Sequence, residues 1–301
     1  MDSMLSPIII KEPSLVAVSG GVDSVVLLHL LLSSNIDNKL KLTVAHFDHG
    51  IRPNSDQDLR FVQNLAKKYG LQFVSDKAYL GPNASEDDAR KARYQFFEQA
   101  LIDTKLTKLI TAHHQDDLIE TGLINLIRGT KSRGLSAMID NPNIKRPLLA
   151  YPKQSLIRYA QKNKLVWKED NTNQDLKYLR NYLRIKIVPK MSNEQRQAMV
   201  KIAFNSSQIN RKVEQELTHI FHSIDIKHIE REWYNSLDLT IQREIIAFML
   251  RQHEYRNYSE KSLERLAVLL KVAQSGKFIE VNQCLGFKIT EKSLALITKE
   301  R

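Results

Sequence analysis

Hydrophobic and polar positions follow a repeating pattern along the first half of the chain. Short apolar runs predict strands at 15–18, 41–47, 71–75 and 108–112. Helical patterns follow them at 22–32, at 56–69 with Gly70 as the C-terminal cap, and from Ser85 as the N-cap past Phe97. Strands and helices that alternate in this way are typical of an α/β fold, so we predict a Rossmann-like parallel sheet here.

The second half of the chain carries mainly helical patterns. An edge strand is expected at 146–149, because Pro147 interrupts the hydrogen bonding of a sheet. Further helices are predicted at 152–164, 178–187, 195–224, 240–252 and 259–274, with Ser259 as the N-cap and Gly276 as the C-terminal cap of the last one. A polar loop is expected at 167–175, and short antiparallel strands at 278–281, 286–290 and 293–297.

The length of 301 residues exceeds one typical domain. Pro189 and the polar run 192–195 mark a boundary in the pattern. We predict a catalytic α/β domain at 1–190, a helical linker at 191–224, and a smaller, mostly helical C-terminal domain with a short β element at 225–301.

The first strand and helix are joined by Ser19-Gly20-Gly21-Val22-Asp23-Ser24. The two glycines lack a Cβ, so the backbone can turn sharply and direct its N–H groups at an anion near the positive end of the helix. The serines add hydroxyl donors, and Asp23 adds a carboxylate that could hold Mg²⁺ against phosphate oxygens. The loop is neither a Walker loop nor a Gly-x-Gly-x-x-Gly loop. It predicts a phosphate site, although a plain turn between strand and helix shares its glycines.

Two acids share one helical turn after the fourth strand. Asp117 and Glu120 could bind an ammonium group or a metal ion, or could be solvated acids favoured at a helix N-terminus. A hydrolytic metal site is the rival interpretation, and its candidate ligands are His46, His49, His113, His114, Asp48, Asp116 and Asp117. Adjacent histidines project to opposite sides of an extended chain, and no His-x-x-x-His pair is present, so this site is disfavoured.

Charge and cysteine content narrow the class of protein. The formal net charge of +11 favours a polyanionic partner such as RNA or DNA, although a well-solvated surface has the same composition. The single cysteine, Cys284, excludes an internal disulfide and any Cys-x-x-Cys site. No run approaches eighteen apolar residues, and residues 1–13 lack a signal-peptide core, so we expect a cytoplasmic protein without a membrane partner.

Eight further motifs follow the glycine loop in a fixed order. They are His46-x-Asp48-His49-x-x-Arg52, Glu86-x-x-Ala89-Arg90-x-x-Arg93-Tyr94, Ala112-His113-His114-x-x-Asp117-x-x-Glu120-Thr121, Arg128-Gly129, Gly134-Leu135-x-x-Met138, Arg146-Pro147-Leu148-Leu149, Glu169-Asp170-x-Thr172-Asn173 and Arg180-Asn181-x-x-Arg184. The loop resembles the signature of the PP-loop ATP pyrophosphatases, and the whole set, from residue 16 to about 190, resembles the tRNA(Ile)-lysidine synthase family. The C-terminal part resembles the substrate-binding domain that follows in that family.

The resemblance implies an ATP-dependent reaction on the wobble cytidine, position 34, of the CAU-anticodon tRNA(Ile). ATP adenylates the C2 oxygen of the cytosine, releasing pyrophosphate, and the ε-amine of L-lysine then attacks C2 and expels AMP, giving lysidine. The implied ATP site is Ser19, Gly20, Gly21, Val22, Asp23, Ser24, His46 and Asp48, with Asp23 near Mg²⁺. The implied catalytic residues are Asp23, Arg93, Asp117 and Glu120, of which Asp117 and Glu120 bind lysine, and the implied tRNA contacts are Arg180, Asn181 and Arg184.

Two other functions compete with this one. The first is that of a related PP-loop enzyme, such as a tRNA thiolase or an amide synthetase. A thiolase is disfavoured, because it needs catalytic cysteines and Cys284 is the single cysteine of the sequence. A non-catalytic RNA-binding protein is the other, and intact Asp23, Arg93, Asp117 and Glu120 argue against it.

The sequence also departs from the family's pattern and leaves points open. Thr172 stands where serine is more usual, and the chain stops before the further C-terminal domain of longer members, which puts recognition of the acceptor arm in doubt. The residue that accepts the lysine proton and the possible homodimer are both left open.

Overall fold

The computed structural model describes residues 5–34, 42–50, 55–78, 80, 86–141, 143–169, 176–223 and 228–299. It forms two compact units, Met1–Ser207 and Gln208–Arg301. Arg52, the expected N-cap Ser85 and the motif residues Thr172 and Asn173 lie outside the described residues. Where the described elements correspond to predicted ones, their ends agree within about two residues, apart from the differences described below.

A parallel sheet forms the centre of the first unit. Within the described residues it has five strands, β1 Ser14–Ala17, β2 Leu42–Asp48, β3 Gln72–Lys77, β4 Lys108–Ile110 and β5 Ile144–Lys145. Their order is β3-β2-β1-β4-β5, and every neighbouring pair is parallel. The chain runs outward from β1 to β3 and then returns to β4 on the other side of β1. In open α/β sheets the ligand crevice lies at such a reversal, outside the carboxyl ends of the strands.

Helices cover both faces of this sheet. In chain order they are α1 Val22–Ser34, α2 Ser55–Lys68, α3 Glu86–Thr104, α4 Gln115–Ile127, α5 Ser132–Leu135, α6 Lys153–Lys162 and α7 Leu179–Tyr182. Alternate strand residues point to opposite faces: Val16 packs in the core that includes α1, α2 and α6, and Leu15 packs in the core that includes Phe97 of α3. The predicted Rossmann-like α/β fold is therefore confirmed.

Two predicted elements of this unit are wrong. The edge strand is Ile144–Lys145 and not 146–149, since pairing with β4 ends at Lys145 and residues 147–150 form turns. The proline ring removes the N–H that a continuing ladder would need. The predicted helix over 178–187 is interrupted: α7 ends at Tyr182, a π-helical turn spans Leu183–Ile187, and a 3₁₀ turn spans Val188–Lys190.

The long helix α8, Asn193–Ser223, runs from the first unit into the second. The other elements of the second unit are β6 Ile229–Glu230, α9 Arg231–Ser236, α10 Leu239–Gln252, α11 Glu260–Val272, β7 Phe278–Glu280, β8 Leu285–Ile289 and β9 Ser293–Thr298. The strands form an antiparallel sheet in the order β6-β9-β8-β7. The predicted helices with a short β element are confirmed, whereas β6 and α9 were not predicted. The predicted domain limits stay a prediction.

The two ends of α11 test the predicted caps. Ser259 is the N-cap, and its hydroxyl accepts a hydrogen bond from the Ser262 N–H at 3.1 Å. The prediction for Gly276 is wrong, because the C-cap is Ala273 with extended backbone. Gly276 instead has φ +84° in the turn before β7, where its N–H donates to the Ile289 carbonyl. None of the described helices combines the length and the apolar content needed to cross a membrane.

Candidate active site

The glycine loop leaves the carboxyl end of β1, next to the reversal in strand order. Its shape is held by Ser24 in the first turn of α1, whose hydroxyl accepts hydrogen bonds from the N–H groups of Ser19 and Gly20, both at 3.2 Å. The same hydroxyl donates to the Gly21 carbonyl at 2.9 Å. Ser24, predicted as a ligand donor, thus acts on the loop itself. Gly20 has φ +93°, which explains why this turn requires glycine.

Gly20→Ala is expected to lower the free energy of unfolding by about 1–2 kcal/mol and to weaken nucleotide binding, because an L side chain is strained at this backbone conformation. An added Cβ would lie 3.4 Å from the Phe61 ring, so the cost comes from the backbone rather than from a clash. Urea denaturation and nucleotide titration measure the two effects. Gly21→Ala is the matched control for stability, since its φ is outside the left-handed region; an equal loss of stability in both variants would contradict this explanation.

The carboxylate of Asp23, the second residue of α1, lies between two nitrogen groups and is partly exposed. Its Oδ2 accepts a hydrogen bond from the Lys153 Nζ at 2.5 Å and lies 3.7 Å from the His114 Nε2. Its Oδ1 is buried and has no hydrogen-bond partner among the described residues. A buried carboxylate oxygen beside a phosphate loop is a suitable ligand for a divalent cation whose other ligands include phosphate oxygens. The described residues contain no group of three or more His, Cys, Asp or Glu side chains that could hold a metal ion by themselves.

His46 and Asp48 lie at the carboxyl end of β2, beside β1. The His46 Nδ1 is 2.9 Å from the carbonyl oxygen of Val18, the residue just before the glycine loop. Burial lowers the pKa of His46, so the ring is neutral at pH 7 and its Nδ1–H donates to that carbonyl. Asp48 accepts a hydrogen bond from the Gly50 N–H at 2.8 Å and lies 3.4 Å from the Lys77 Nζ. These contacts support the loop and the strand ends, and the predicted nucleotide contacts of both residues stay a prediction.

The two acids of α4 lie on the same side of that helix and meet a guanidinium. Arg184 donates to both carboxylate oxygens of Glu120 at 2.8 Å and to Asp117 at 3.2 Å. The Arg180 Nε is 3.5 Å from Glu120, and an Arg180 nitrogen donates to the Thr121 hydroxyl at 2.7 Å. The structure thus brings two predicted tRNA-binding arginines onto the two predicted lysine-binding acids. No local sequence pattern predicts this contact, because the paired residues are 64 positions apart.

Burial and neighbouring charges move the pKa values of these acids in opposite directions. Burial is the main cause of the raised pKa of Glu120, and it outweighs the opposing effect of Arg184. Burial would also raise the pKa of Asp117, but His114, His113 and Arg184, with a hydrogen bond from the His114 N–H, hold that pKa below its ordinary value. Asp117 is therefore the more acidic member of the pair, and Glu120 is the better proton acceptor.

His113, three residues beyond the end of β4, is a weak base. Its pKa lies well below the ordinary value, first because of burial and then because Arg146, Arg93 and Arg90 disfavour a positive ring, although Asp117 opposes them. Arg93 of α3, a predicted catalytic residue, is one of the charges that lower this pKa. The Arg93 guanidinium is 5.9 Å from the centre of the Tyr94 ring.

His114 lies between the two parts of the site. Its Nε2 is 3.7 Å from Asp23 and its Nδ1 is 3.5 Å from Asp117, and its side chain is buried. The phosphate loop and the acid pair therefore adjoin at the reversal between β1 and β4. The sequence signal for His114 was its motif alone, and no local pattern indicated Lys153 as a partner of Asp23.

Comparisons with known proteins show which proteins this sequence resembles. Residues 4–191 match the family described as PP-loop domain. A tRNA(Ile)-lysidine synthase from Exiguobacterium sibiricum is 33% identical over 272 residues, covering 87% of this chain and 64% of that protein. The tRNA(Ile)-lysidine synthase from Histophilus somni is 31% identical, covering 95% of this chain and 77% of that protein. This chain therefore spans less than two thirds of the length of the Exiguobacterium protein.

One solved structure extends the comparison to the fold. A U34-tRNA thiolase from Methanococcus maripaludis has a TM-score of 0.57 and 18% identity to this chain, and the match covers 68% of this chain and 75% of the thiolase. At this identity the likeness concerns the fold alone.

Proposed function

Because this chain belongs to the PP-loop domain family and, within it, to the tRNA(Ile)-lysidine synthase family, we propose that it ligates L-lysine to the wobble cytidine of the CAU-anticodon tRNA(Ile). The reaction consumes ATP and yields AMP, pyrophosphate and lysidine. The observation that carries the proposal is the position of His114, within 3.7 Å of Asp23 on one side and within 3.5 Å of Asp117 on the other. A site for a nucleotide and a site for an amine adjoin there.

In the first step, the C2 oxygen of the cytosine attacks the α-phosphorus of ATP and pyrophosphate leaves. The loop formed by Ser19, Gly20, Gly21 and Val22 would hold the phosphates beside the partial positive charge at the N-terminus of α1. The N–H groups of Ser19 and Gly20 donate to the Ser24 hydroxyl and so fix the shape of this loop. Arg93 neutralises charge on the α-phosphate, as preorganised cations do for phosphoryl transfer. Asp23 would hold Mg²⁺, which when bound neutralises the polyphosphate. Exposing the target base costs little free energy, because the anticodon loop is single-stranded.

In the second step, the ε-amine of lysine forms a bond to C2 of the cytosine and AMP leaves with the C2 oxygen. Asp117 and Glu120 attract the ε-ammonium group, which must lose a proton before it can attack. Burial raises the pKa of Glu120, which favours Glu120 over Asp117 as the acceptor of that proton. Arg184 occupies the same carboxylates, so lysine and Arg184 compete for them, and tRNA phosphates are a natural alternative partner for Arg184. Asn181 and Arg180 lie on the same helical turn and complete the proposed tRNA contact.

The test is incorporation of labelled lysine into unmodified tRNA(Ile) in the presence of ATP and Mg²⁺. We expect label in the RNA that depends on ATP, together with AMP formed in equal amount. A transcript whose wobble cytidine is replaced by uridine is the control and should remain unlabelled. Labelling of that control, or absence of label from the cognate tRNA while ATP still binds, would reject the proposed function.

A further inference from the structure

Lys153 reaches the carboxylate of the glycine loop from a distant part of the sequence. Its Nζ lies 2.5 Å from the Asp23 Oδ2, although the two residues are 130 positions apart. The Lys153 side chain is about one third exposed and that of Asp23 is one quarter exposed, so the pair lies at the mouth of the site. None of the motifs that mark the site includes Lys153.

The two helices that carry this pair run side by side in the same direction. Six residues beyond Asp23 and Lys153, the His29 Nδ1 of α1 and the Tyr159 hydroxyl of α6 are 3.0 Å apart, and their rings meet edge to face at 5.7 Å. Two contacts with equal spacing on both helices require a parallel arrangement. The N-terminal ends of α1 and α6 therefore lie together beside the glycine loop.

The N-terminus of α6 is also joined to that of α4. The Gln115 N–H donates to the Tyr151 carbonyl at 2.9 Å, and the Gln115 side chain donates to the Ala150 carbonyl at 3.3 Å. These hydrogen bonds fix the turn from which Lys153 projects, while its four-carbon side chain leaves the ammonium group free to move over several ångströms. The backbone at Lys153 is thus held in place, whereas its ammonium group can reach more than one partner.

The position of Lys153 is unfavourable for helix stability. It is the first residue of α6, where the helix dipole favours acids and disfavours cations. Asp23 compensates for this in the structure, yet its other oxygen remains buried without a partner among the described residues. A cation at a helix N-terminus is useful where an anionic ligand binds, because helix dipole and ammonium then attract the same group.

We propose that Lys153 is a pyrophosphate-binding residue. Without nucleotide its ammonium group pairs with Asp23; with nucleotide bound, the ammonium group turns to the β- and γ-phosphates, and Asp23 would then hold Mg²⁺. As the bond between the α-phosphorus and the bridging oxygen breaks, negative charge moves onto the pyrophosphate, and the ammonium group stabilises it there. The inference rests on the proposed use of ATP, and it requires neither lysine nor tRNA.

The test measures binding of pyrophosphate with Mg²⁺ by calorimetry, without tRNA or lysine. We expect Lys153→Met to raise the Kd of pyrophosphate roughly 10- to 100-fold, as for loss of a charge-assisted hydrogen bond, and to change the Kd of AMP less than about twofold. Lys153→Arg should keep the Kd of pyrophosphate within about threefold of the wild-type value, because it keeps the charge. Lys162→Met, exposed near the end of the same helix, is the matched control and should bind pyrophosphate like the wild type.

A second comparison separates phosphate binding from support of Asp23. If Lys153 acts only through Asp23, Lys153→Met in an Asp23→Asn background causes no further loss of pyrophosphate binding, which would overturn the proposal; a further loss supports it. Wild-type affinity in Lys153→Met would overturn it as well. If that variant fails to fold, Lys153→Gln takes its place with the same expectation. Failure of lysine incorporation would reject the proposed function and leave this measurement unaffected.

Discussion

Asp23→Asn is expected to lower kcat/KM for ATP by about 10²- to 10³-fold, the order seen when a preorganised charge at a phosphoryl-transfer site is removed. The amide has nearly the shape of the carboxylate, so the backbone of α1 should be unchanged. It carries no charge, however, so its oxygen attracts Mg²⁺ and the Lys153 ammonium group, 2.5 Å from Asp23 in the structure, much more weakly than the carboxylate does. The loss should therefore appear in ATP consumption while the fold persists.

Steady-state release of pyrophosphate, measured across a range of Mg²⁺ concentrations, checks this expectation. As the Mg²⁺ concentration is raised, the wild type should reach its full rate of pyrophosphate release at concentrations at which Asp23→Asn is still impaired. Asp103→Asn is the control, because Asp103 is exposed on α3 and pairs with Gln99 within the same helix. Activity of Asp23→Asn within a few fold of the wild type would contradict the role proposed for Asp23.

Glu120→Gln is expected to raise the KM for lysine by about 10²-fold while the KM for ATP changes less than about twofold, since it removes one of two charges that attract the ammonium group. The glutamine keeps the size of the side chain in a fully buried position, at 1% exposure. Lysine-dependent and ATP-dependent kinetics of the same preparation separate the two effects. Glu264→Gln, at an exposed position of α11, is the control. Equal loss of lysine use and ATP use would contradict the assignment.

The raised pKa of Glu120 predicts the pH dependence of lysine use. As the pH falls through that pKa, Glu120 takes up a proton and loses its attraction for the ammonium group, so the KM for lysine should rise. This rise should begin at a higher pH than for an ordinary glutamate. Glu120→Gln lacks the titrating group, so it should show the high KM at all pH values and a flatter profile, which a series of assays across pH would reveal.

The same pKa gives the sign of the effect on stability. A carboxyl whose pKa is raised by folding contributes stability below its unfolded pKa and loses that contribution as the pH rises through the folded pKa. At a pH above that folded pKa, the ionised Glu120 therefore costs stability relative to its protonated form. Glu120→Gln should unfold at a denaturant concentration no lower than the wild type does at that pH, which distinguishes loss of lysine use from misfolding. A lower midpoint would show that the bonds to Arg184 outweigh the cost of burial.

Much of the fold was predictable because its signals are local. Apolar runs, helical periods and caps such as Ser259 depend on neighbouring residues, and they located most strands and helices within about two residues. The wrong predictions occur where tertiary contacts decide: the strand ends at Lys145 because pairing with β4 ends there, and the helix after Tyr178 changes to a π-helical turn at Leu183. The short β6 was missed because its two residues are a strand only through pairing with β9.

The sequence by itself determined the glycine loop, the order of the motifs and the alternation of strands and helices, since each depends on residue type at short spacing. Only the tertiary structure decided which charges meet. Lys153 pairs with Asp23 because α1 and α6 lie parallel, and Arg184 pairs with Glu120 across 64 positions. Strand order and helix packing set such distances, and a one-dimensional pattern contains neither. The physical reason is that side-chain electrostatics act through space, whereas sequence patterns report spacing along the chain.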